Sequence, residues 1–232
     1  MNSSLQNKKI FIVGGSSGIG LAVAKQAYKI GAKVIIASRS ASEKHGDLSN
    51  AVGRNIETYS FNAISEDETE TTLKKVGDID HLVITIRPDM NTEPFEKTDI
   101  KQAKEEFEIK FWGQYQVIQK ARNQINRNGS IIMTTGIAGE KIFNNFSTMS
   151  IVNSATETLC RSLAIELAPI RVNVVSPGFV RPKSKEVEKY AQQFPLGKLA
   201  LPEEVAETYM YLMASSYTTG TSVVIDGGAR LI

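Results

Sequence analysis

The residues best placed to do chemistry are three glycines, Gly14, Gly18 and Gly20, with Ser16, Ser17 and Ile19 set among them. Their spacing is G-x-x-x-G-x-G. It directly follows the apolar run 10–13 and leads into an apolar-periodic segment, 19–30. Gly14 permits a sharp turn, Gly18 leaves bare backbone that a phosphate can approach, and Gly20 lets a helix pack closely on a strand. The free N–H groups and positive dipole end of that helix would face the anion. Ser16 and Ser17 add hydroxyl donors. Strand, glycine turn and helix in this order suit the diphosphate of a dinucleotide; the alternative is a turn that only closes an ordinary strand–helix connection.

A second group, Ser38, Arg39 and Ser40, ends the next apolar run. A carboxylate at this place would accept hydrogen bonds from a ribose 2′-hydroxyl and repel a 2′-phosphate. A guanidinium flanked by hydroxyls does the reverse: it can pair with a 2′-phosphate and stack on adenine. A charge-assisted bond of that kind is worth about 1.5–3 kcal/mol, enough to favour NADP(H) over NAD(H). The alternative for Arg39 is a solvated loop side chain.

The elements that would position these groups are legible. Runs at 9–13, 33–37, 56–61, 81–86, 130–134, 171–176 and 222–226 read as strands, with helical segments between them. That alternation predicts an α/β fold of the Rossmann type, with seven parallel strands, doubly wound and covered on both faces. Residues 1–232 read as one unit, since no linker, low-complexity tract or repeat divides them. Ser65 followed by Glu66, Asp67 and Glu68 predicts a capping box with acids in the first helical turn. Asp99 is a candidate cap for one long helix over 100–126, with Gly129 stopping it. Residues 149–167 predict another, ended by Pro169. The polar stretch 181–198, with Pro182 and Pro195 near its ends, reads as an excursion over the ligand crevice on the substrate side. Phe143, Phe146, Tyr190 and Phe194 are candidates for an apolar pocket or for packing.

Composition narrows the function classes. A formal net charge of +2 on 232 residues gives no footprint for nucleic acid or an anionic membrane. The single cysteine, Cys160, excludes an intrachain disulfide framework and reads as a small core residue. No His/Cys/Asp/Glu cluster has metal-ligand spacing. His45 reads as part of a polar loop, and His81 lies near a strand start. The N-terminus is short and polar and no apolar run approaches a membrane span, so a cytoplasmic protein is expected.

Taken together, these motifs resemble the short-chain dehydrogenase/reductase family, and the resemblance runs essentially from end to end. Gly14, Gly18 and Gly20 match the family's T-G-x-x-x-G-x-G, with Val13 in place of the threonine. Arg171-Val172-Asn173-Val174-Val175-Ser176-Pro177-Gly178 matches R-V-N-x-V-x-P-G. Glu204-Val205-Ala206 and Asp226-Gly227-Gly228 match elements nearer the C-terminus. The resemblance implies that Asn62 and Ala63 lie by the adenine, where the family usually has an aspartate. It places the backbone at and just after Pro177 and Gly178, near Val180, on the nicotinamide carboxamide, and counts Thr85 among the cofactor-binding residues. It also implies a small-molecule substrate and a homodimer or homotetramer paired through the long helices.

The catalytic positions depart from that family. It uses an Asn, a Ser and a Tyr-x-x-x-Lys pair, in which the lysine's charge lowers the tyrosine pKa and the tyrosine exchanges a proton with the substrate oxygen. Alignment puts Met149 at the tyrosine, Asn153 at the lysine, Gly136 at the serine and Lys110 at the asparagine. The N-N-A-G motif is replaced by Ile84-Thr85-Ile86-Arg87. Methionine has no proton to give, and losing one general acid costs about 10²–10⁴ in rate. Lysine and asparagine have exchanged places, so an amine and an amide are expected to face each other across the pocket. Lys110 is then either a proton donor or oxyanion stabiliser with a pKa lowered by burial, or a helix-surface residue, or a structural cation bonded to Asn153 or a backbone carbonyl. Two functions follow: an NADPH-dependent oxidoreductase with a rebuilt site, or a non-catalytic NADP(H)-binding sensor or partner subunit.

Overall fold

A computed structural model describes residues 3–88 and 92–232. Its centre is a sheet of seven strands: β1 (Lys9–Val13), β2 (Lys33–Ser38), β3 (Glu57–Ser60), β4 (Ile79–Ile84), β5 (Ile125–Thr134), β6 (Arg171–Pro177) and β7 (Ser222–Ile225). All pairings are parallel, in the order β3-β2-β1-β4-β5-β6-β7. The strands alternate with period two, yet both faces are apolar. On β1, Ile10 and Ile12 join one buried cluster and Phe11 and Val13 the other. A sheet apolar on both faces must be covered on both.

The Ile10/Ile12 face is covered by α1 (Gly18–Lys29), α2 (His45–Val52) and α8 (Pro202–Ala214). The other face takes α3 (Glu66–Val76), α5 (Gly113–Ala121) and α6 (Ser147–Glu166). Two further helices, α4 (Ile100–Phe107) and α7 (Lys185–Ala191), stand at the strand C-termini side of the chain's path. The strand order reverses between β1 and β4. The crevice outside the carboxyl ends of those strands is where ligands bind in open α/β sheets. Among the described residues, no helix is long and apolar enough to cross a membrane.

Several local expectations are corrected. The segment 100–126 is not one helix. α4 runs into a π-helical turn, Glu108–Trp112, then α5, then a short 3₁₀ turn, Arg122–Gln124. Gly129 lies inside β5 and does not stop a helix. A Cβ there would collide with the Asp80 carbonyl oxygen, and the β4–β5 register shifts between Ile79 and His81 at this level. The glycine therefore serves a close strand approach at a bulge. His45 opens α2, with its Nδ1 3.0 Å from Thr58 Oγ1, and is not in a loop. Ser65 caps α3 by accepting from Glu68 N at 3.4 Å, but the Glu68 carboxylate accepts from Asn62 N at 2.8 Å, so the box is only half formed. Asp99 caps α4 as expected, accepting from Lys101 N at 2.8 Å.

The R-V-N motif turns out to be architectural. Arg171 donates to the Leu212 and Met213 carbonyls at 2.6 and 3.1 Å, satisfying orphan carbonyls at the end of α8. Asn173 holds the Thr218–Thr221 turn through Thr218 O at 2.8 Å and Thr221 N at 3.3 Å. Cys160 is buried in the core, and desolvation pushes its thiol up to about 12.

Candidate functional site

The glycine turn links β1 to α1 as the sequence predicts. Gly14 has φ +86°, and a Cβ there would lie 2.8 Å from the Thr85 carbonyl carbon and 2.9 Å from Ile86 N. A Cβ on Gly20 would lie 2.5 Å from Gly14 O and collide with Thr85 Oγ1. These two glycines let the turn, the helix and the end of β4 close on one another. Gly18 differs: it has φ +52°, it is exposed, and nothing lies within 4 Å of a Cβ built on it. Its bare backbone faces open space. Ser17 is the N-cap of α1 but makes no side-chain cap bond, so the first-turn N–H groups and its hydroxyl stay available. Ile19 packs partly buried against the core beneath, and Ser16 is half-buried. The cradle fits a diphosphate.

Arg39 is exposed beyond β2, between the half-buried Ser38 and Ser40. Ser38 Oγ accepts from Ser40 N at 3.4 Å, which curls the loop so that Arg39 projects from it. Asn62 forms a local turn, its Oδ1 accepting from Ile64 N at 3.3 Å, and the Ala63 carbonyl is taken by Gln116 at 2.9 Å. Thr85 is engaged structurally: its N and Oγ1 donate to the Val13 carbonyl at 2.8 and 3.2 Å, backing the glycine turn. Gly178 is held by its N–H on Ile225 O at 2.9 Å, and a Cβ there would lie 2.8 Å from Asp226 Cα. Val180 bridges to Ala200.

Lys110 and Asn153 both come to the Thr135–Gly136 segment. Lys110, on the π-helical turn, is buried and donates from Nζ to Thr135 O at 3.4 Å. Asn153, on α6, is fully buried, and a Cβ on Gly136 would lie 3.3 Å from its Nδ2. The two side chains share no hydrogen bond; each approaches the Thr135–Gly136 segment. Neither Asn153 Oδ1 nor Nδ2 has a partner in the protein. A buried amide with both ends unpaired costs free energy that a bound polar ligand would recover. Ser150, three residues earlier and on the same helix face, has a buried, unpartnered hydroxyl as well. Met149 is partly buried and brings no O–H.

What positions Lys110 is Gln114, which sequence reasoning passed over. Its fully buried side chain donates to Lys110 O at 2.7 Å and Thr134 O at 3.3 Å, and accepts from Thr134 N at 3.2 Å. A side chain inserted into the helical ladder takes over a main-chain bond and widens the turn. The signal was a glutamine at a helix position where 3–4 spacing puts the core. Burial brings the Lys110 ammonium down to about 8; the nearby Arg87 pushes the same way and Glu106 opposes. Glu157, one turn beyond Asn153, accepts from Thr135 Oγ1 at 3.3 Å and is raised by burial and by Glu140.

The substrate side is apolar and aromatic. An open groove of about 340 Å³ is lined by Phe95, Ile142, Phe143 and Phe146, among others. Phe179 packs against Phe143, Tyr190 and Phe194 at ring separations of 5.9, 6.0 and 5.3 Å. Of the four aromatic candidates, Phe194 is core packing, while Phe143 and Phe146 reach the groove. The stretch 181–198 carries α7, capped by Ser184, which accepts from Val187 N at 3.4 Å. His81 is buried on Ser130 at 2.8 Å and is lowered to about 4 by desolvation, away from the crevice mouth. Among the described residues, no group of His, Cys, Asp or Glu could hold a metal ion.

This fold and cradle define a dinucleotide-fold protein, and comparison with known proteins narrows the class. The family model described as Enoyl-(Acyl carrier protein) reductase matches residues 13–230. The short-chain dehydrogenase/reductase ATR9 of Stachybotrys chlorohalonatus is 36% identical, over 98% of this chain and 99% of its own. The 3-oxoacyl-[acyl-carrier-protein] reductase FabG of Rickettsia prowazekii is 31% identical, over 98% and 99%. A small-chain dehydrogenase solved in complex with NADPH superposes with a TM-score of 0.83 at 27% identity, covering 97% of this chain and all of that one. The chain belongs to the short-chain dehydrogenase/reductase family of oxidoreductases.

Proposed function

We propose that this chain is an NADPH-dependent reductase in which Lys110 does the proton work usually done by a tyrosine. The observation that carries the reading is a buried amine, lowered to about 8, at the crevice end of β5 beside Gly136 and an unpaired Asn153 amide. Gly14, Ser16, Ser17, Gly18 and Ile19 would hold the diphosphate, and Ser38, Arg39 and Ser40 the 2′-phosphate. Asn62 and Ala63 would lie by the adenine, Thr85 would back the glycine turn, and Pro177, Gly178 and Val180 would lie by the nicotinamide. A bound NADPH supplies a hydride to a carbonyl or activated alkene.

The protein's own part is to place and protonate. Below its pKa Lys110 is an ammonium within a short proton-transfer range of neutrality, which suits a general acid. Asn153 offers a donor and an acceptor to a ribose hydroxyl or a substrate oxygen. Burial of both keeps water from competing. The chain is proposed to act in the cytoplasm as a homodimer or homotetramer.

Calorimetric titration with NADPH and with NADH tests the binding half. NADPH is expected to bind at least about tenfold more tightly, in line with one charge-assisted bond; binding of neither by folded protein overturns the reading. Loss of nicotinamide absorbance with a panel of ketones and enones tests the chemistry. A second reading, a non-catalytic NADP(H)-binding sensor or partner subunit, draws on Met149 at the tyrosine position. Tight NADPH binding with no turnover, unchanged by Lys110→Met, would favour it.

A further inference from the structure

A pair of cations flanks the crevice and plays no part in the reading above. Arg87 stands three residues past the end of β4, where the family motif has glycine. Its neighbours Thr85 and Ile86 lie against the glycine turn, within 2.9 Å of a Cβ built on Gly14. Lys183 stands six residues past the end of β6, on the segment anchored by the Val180–Ala200 bridge and the Arg181 N to Ala200 O bond of 2.9 Å. β4 and β6 flank β5 in the sheet, so the segments that carry Arg87 and Lys183 leave the carboxyl ends of the strands on either side of the one that ends at Thr134. Both are exposed. Among the described residues, neither is joined to a carboxylate; Arg181 beside them spends its guanidinium on Glu188 at 3.5 Å. Burial lowers the Lys183 ammonium and Arg87 pushes the same way, as both do for Lys110. Glu106 is the carboxylate that faces Lys110 from α4.

We propose that Arg87 and Lys183 form a cationic clamp that holds an anionic oxygen group in the crevice. Like charges held face to face repel; an anion between them removes the repulsion and gains charge-assisted bonds to both. Two sources offer that chemistry: the diphosphate of the dinucleotide, lying over the glycine turn that Arg87 abuts, and an acid group of the substrate. The inference rests on the nucleotide-site reading for its natural occupant, not for its chemistry.

The test uses the full chain and inorganic pyrophosphate as the probe, with Arg87→Gln, Lys183→Gln, the double variant and Arg127→Gln, an exposed residue near the opposite end of β5. Thermal melts establish that each variant is folded. Wild type is expected to bind pyrophosphate, the double variant at least about tenfold more weakly, each single in between, and Arg127→Gln within about twofold of wild type. The effect should shrink as salt is raised. A parallel loss of NADPH affinity in substrate-free protein identifies the diphosphate as the occupant. Unchanged NADPH affinity, with 4-oxopentanoate but not its methyl ester losing affinity for the NADPH-saturated variants, identifies a substrate acid. Wild type that binds pyrophosphate but neither NADPH nor NADH keeps the clamp and overturns the nucleotide reading. Equal NADPH affinity in wild type and double variant, with pyrophosphate and 4-oxopentanoate bound by neither or by both alike, overturns the clamp and leaves the nucleotide reading standing.

Discussion

Lys110→Met should stabilise the fold while abolishing turnover, and the gain should depend on pH. The wild-type ammonium is lowered from 10.5 to about 8, chiefly by burial and further by Arg87. Because the folded pKa lies below the unfolded one, the folded state resists protonation. The penalty is fully present below about 8, fades as pH rises between about 8 and 10.5, and is gone above that. Its size is about 3 kcal/mol. Methionine is similar in length and escapes the penalty, but forfeits the bond to Thr135 O, worth about 1 kcal/mol. The net gain near pH 7 is therefore about 2 kcal/mol, or roughly 4–8 °C in Tm for a chain of this size. Near pH 10 the gain should vanish or reverse by about 1 kcal/mol. Urea melts of both proteins across this range read the difference, in which every other titrating group cancels. A variant destabilised near pH 7 by the same amount as near pH 10 would refute the reasoning: Lys110 would then be a well-satisfied structural cation. In the same protein, kcat should fall by about 10²–10⁴.

Three other substitutions or probes test neighbouring parts of the argument. Arg39→Gln should weaken NADPH binding by roughly 10- to 150-fold, from about 1.5–3 kcal/mol, and leave NADH binding unchanged in calorimetry. Gly20→Ala should cost several kcal/mol in a urea melt, since its Cβ meets the Gly14 carbonyl at 2.5 Å and the Gly15 Cα at 2.9 Å, backbone atoms that moving the Thr85 side chain cannot relieve. Gly18→Ala meets no atom within 4 Å and should cost only about 1–2 kcal/mol of left-handed strain, yet lower NADPH affinity more than Gly20→Ala lowers it per unit of stability lost. Cys160, with its thiol pushed up to about 12, should resist alkylation in the folded protein at mildly alkaline pH and react at once in denaturant.

The sheet was readable because its strands are short, apolar and evenly spaced, and a period-two run buried on both faces leaves few alternatives. All seven strands fall within a few residues of their expected places, β5 departing furthest by starting at Ile125. That departure and the broken helix at 108–112 share a cause outside local patterning. Gln114 and Gly129 do their work in tertiary contacts, one through two bonds to Thr134 at the end of β5 and one to the Lys110 carbonyl, the other at a strand approach. Propensity cannot see either. The glycine turn between β1 and α1 was legible because its glycines are demanded by backbone geometry, which sequence spacing encodes directly. Arg87 and Lys183 were not singled out together, because 96 residues separate them and only the sheet order makes them neighbours.

The proposed exchange of lysine and asparagine makes physical sense once both side chains are seen to approach the Thr135–Gly136 segment. A lysine at position 153 would put an ammonium where α6 already buries Asn153 completely. A cation there needs a partner, and the tyrosine it would serve is Met149. With lysine moved to position 110, the charge sits on the π-helical turn. There the Thr135 carbonyl accepts from it at 3.4 Å, and Glu106 offsets part of the repulsion from Arg87. The shorter amide at 153 then fits beside Gly136, where a serine side chain would start 3.3 Å from Nδ2. The three changes are thus coupled, and restoring one alone should fail. Asn153→Lys in the present background would bury a second ammonium at the same segment and destabilise the protein by several kcal/mol. The same change combined with Lys110→Asn, Gly136→Ser and Met149→Tyr should recover most of that loss. Urea melts of the single and quadruple variants decide it: equal stability for the two would show that the positions are independent and that the exchange is drift rather than a rebuilt site.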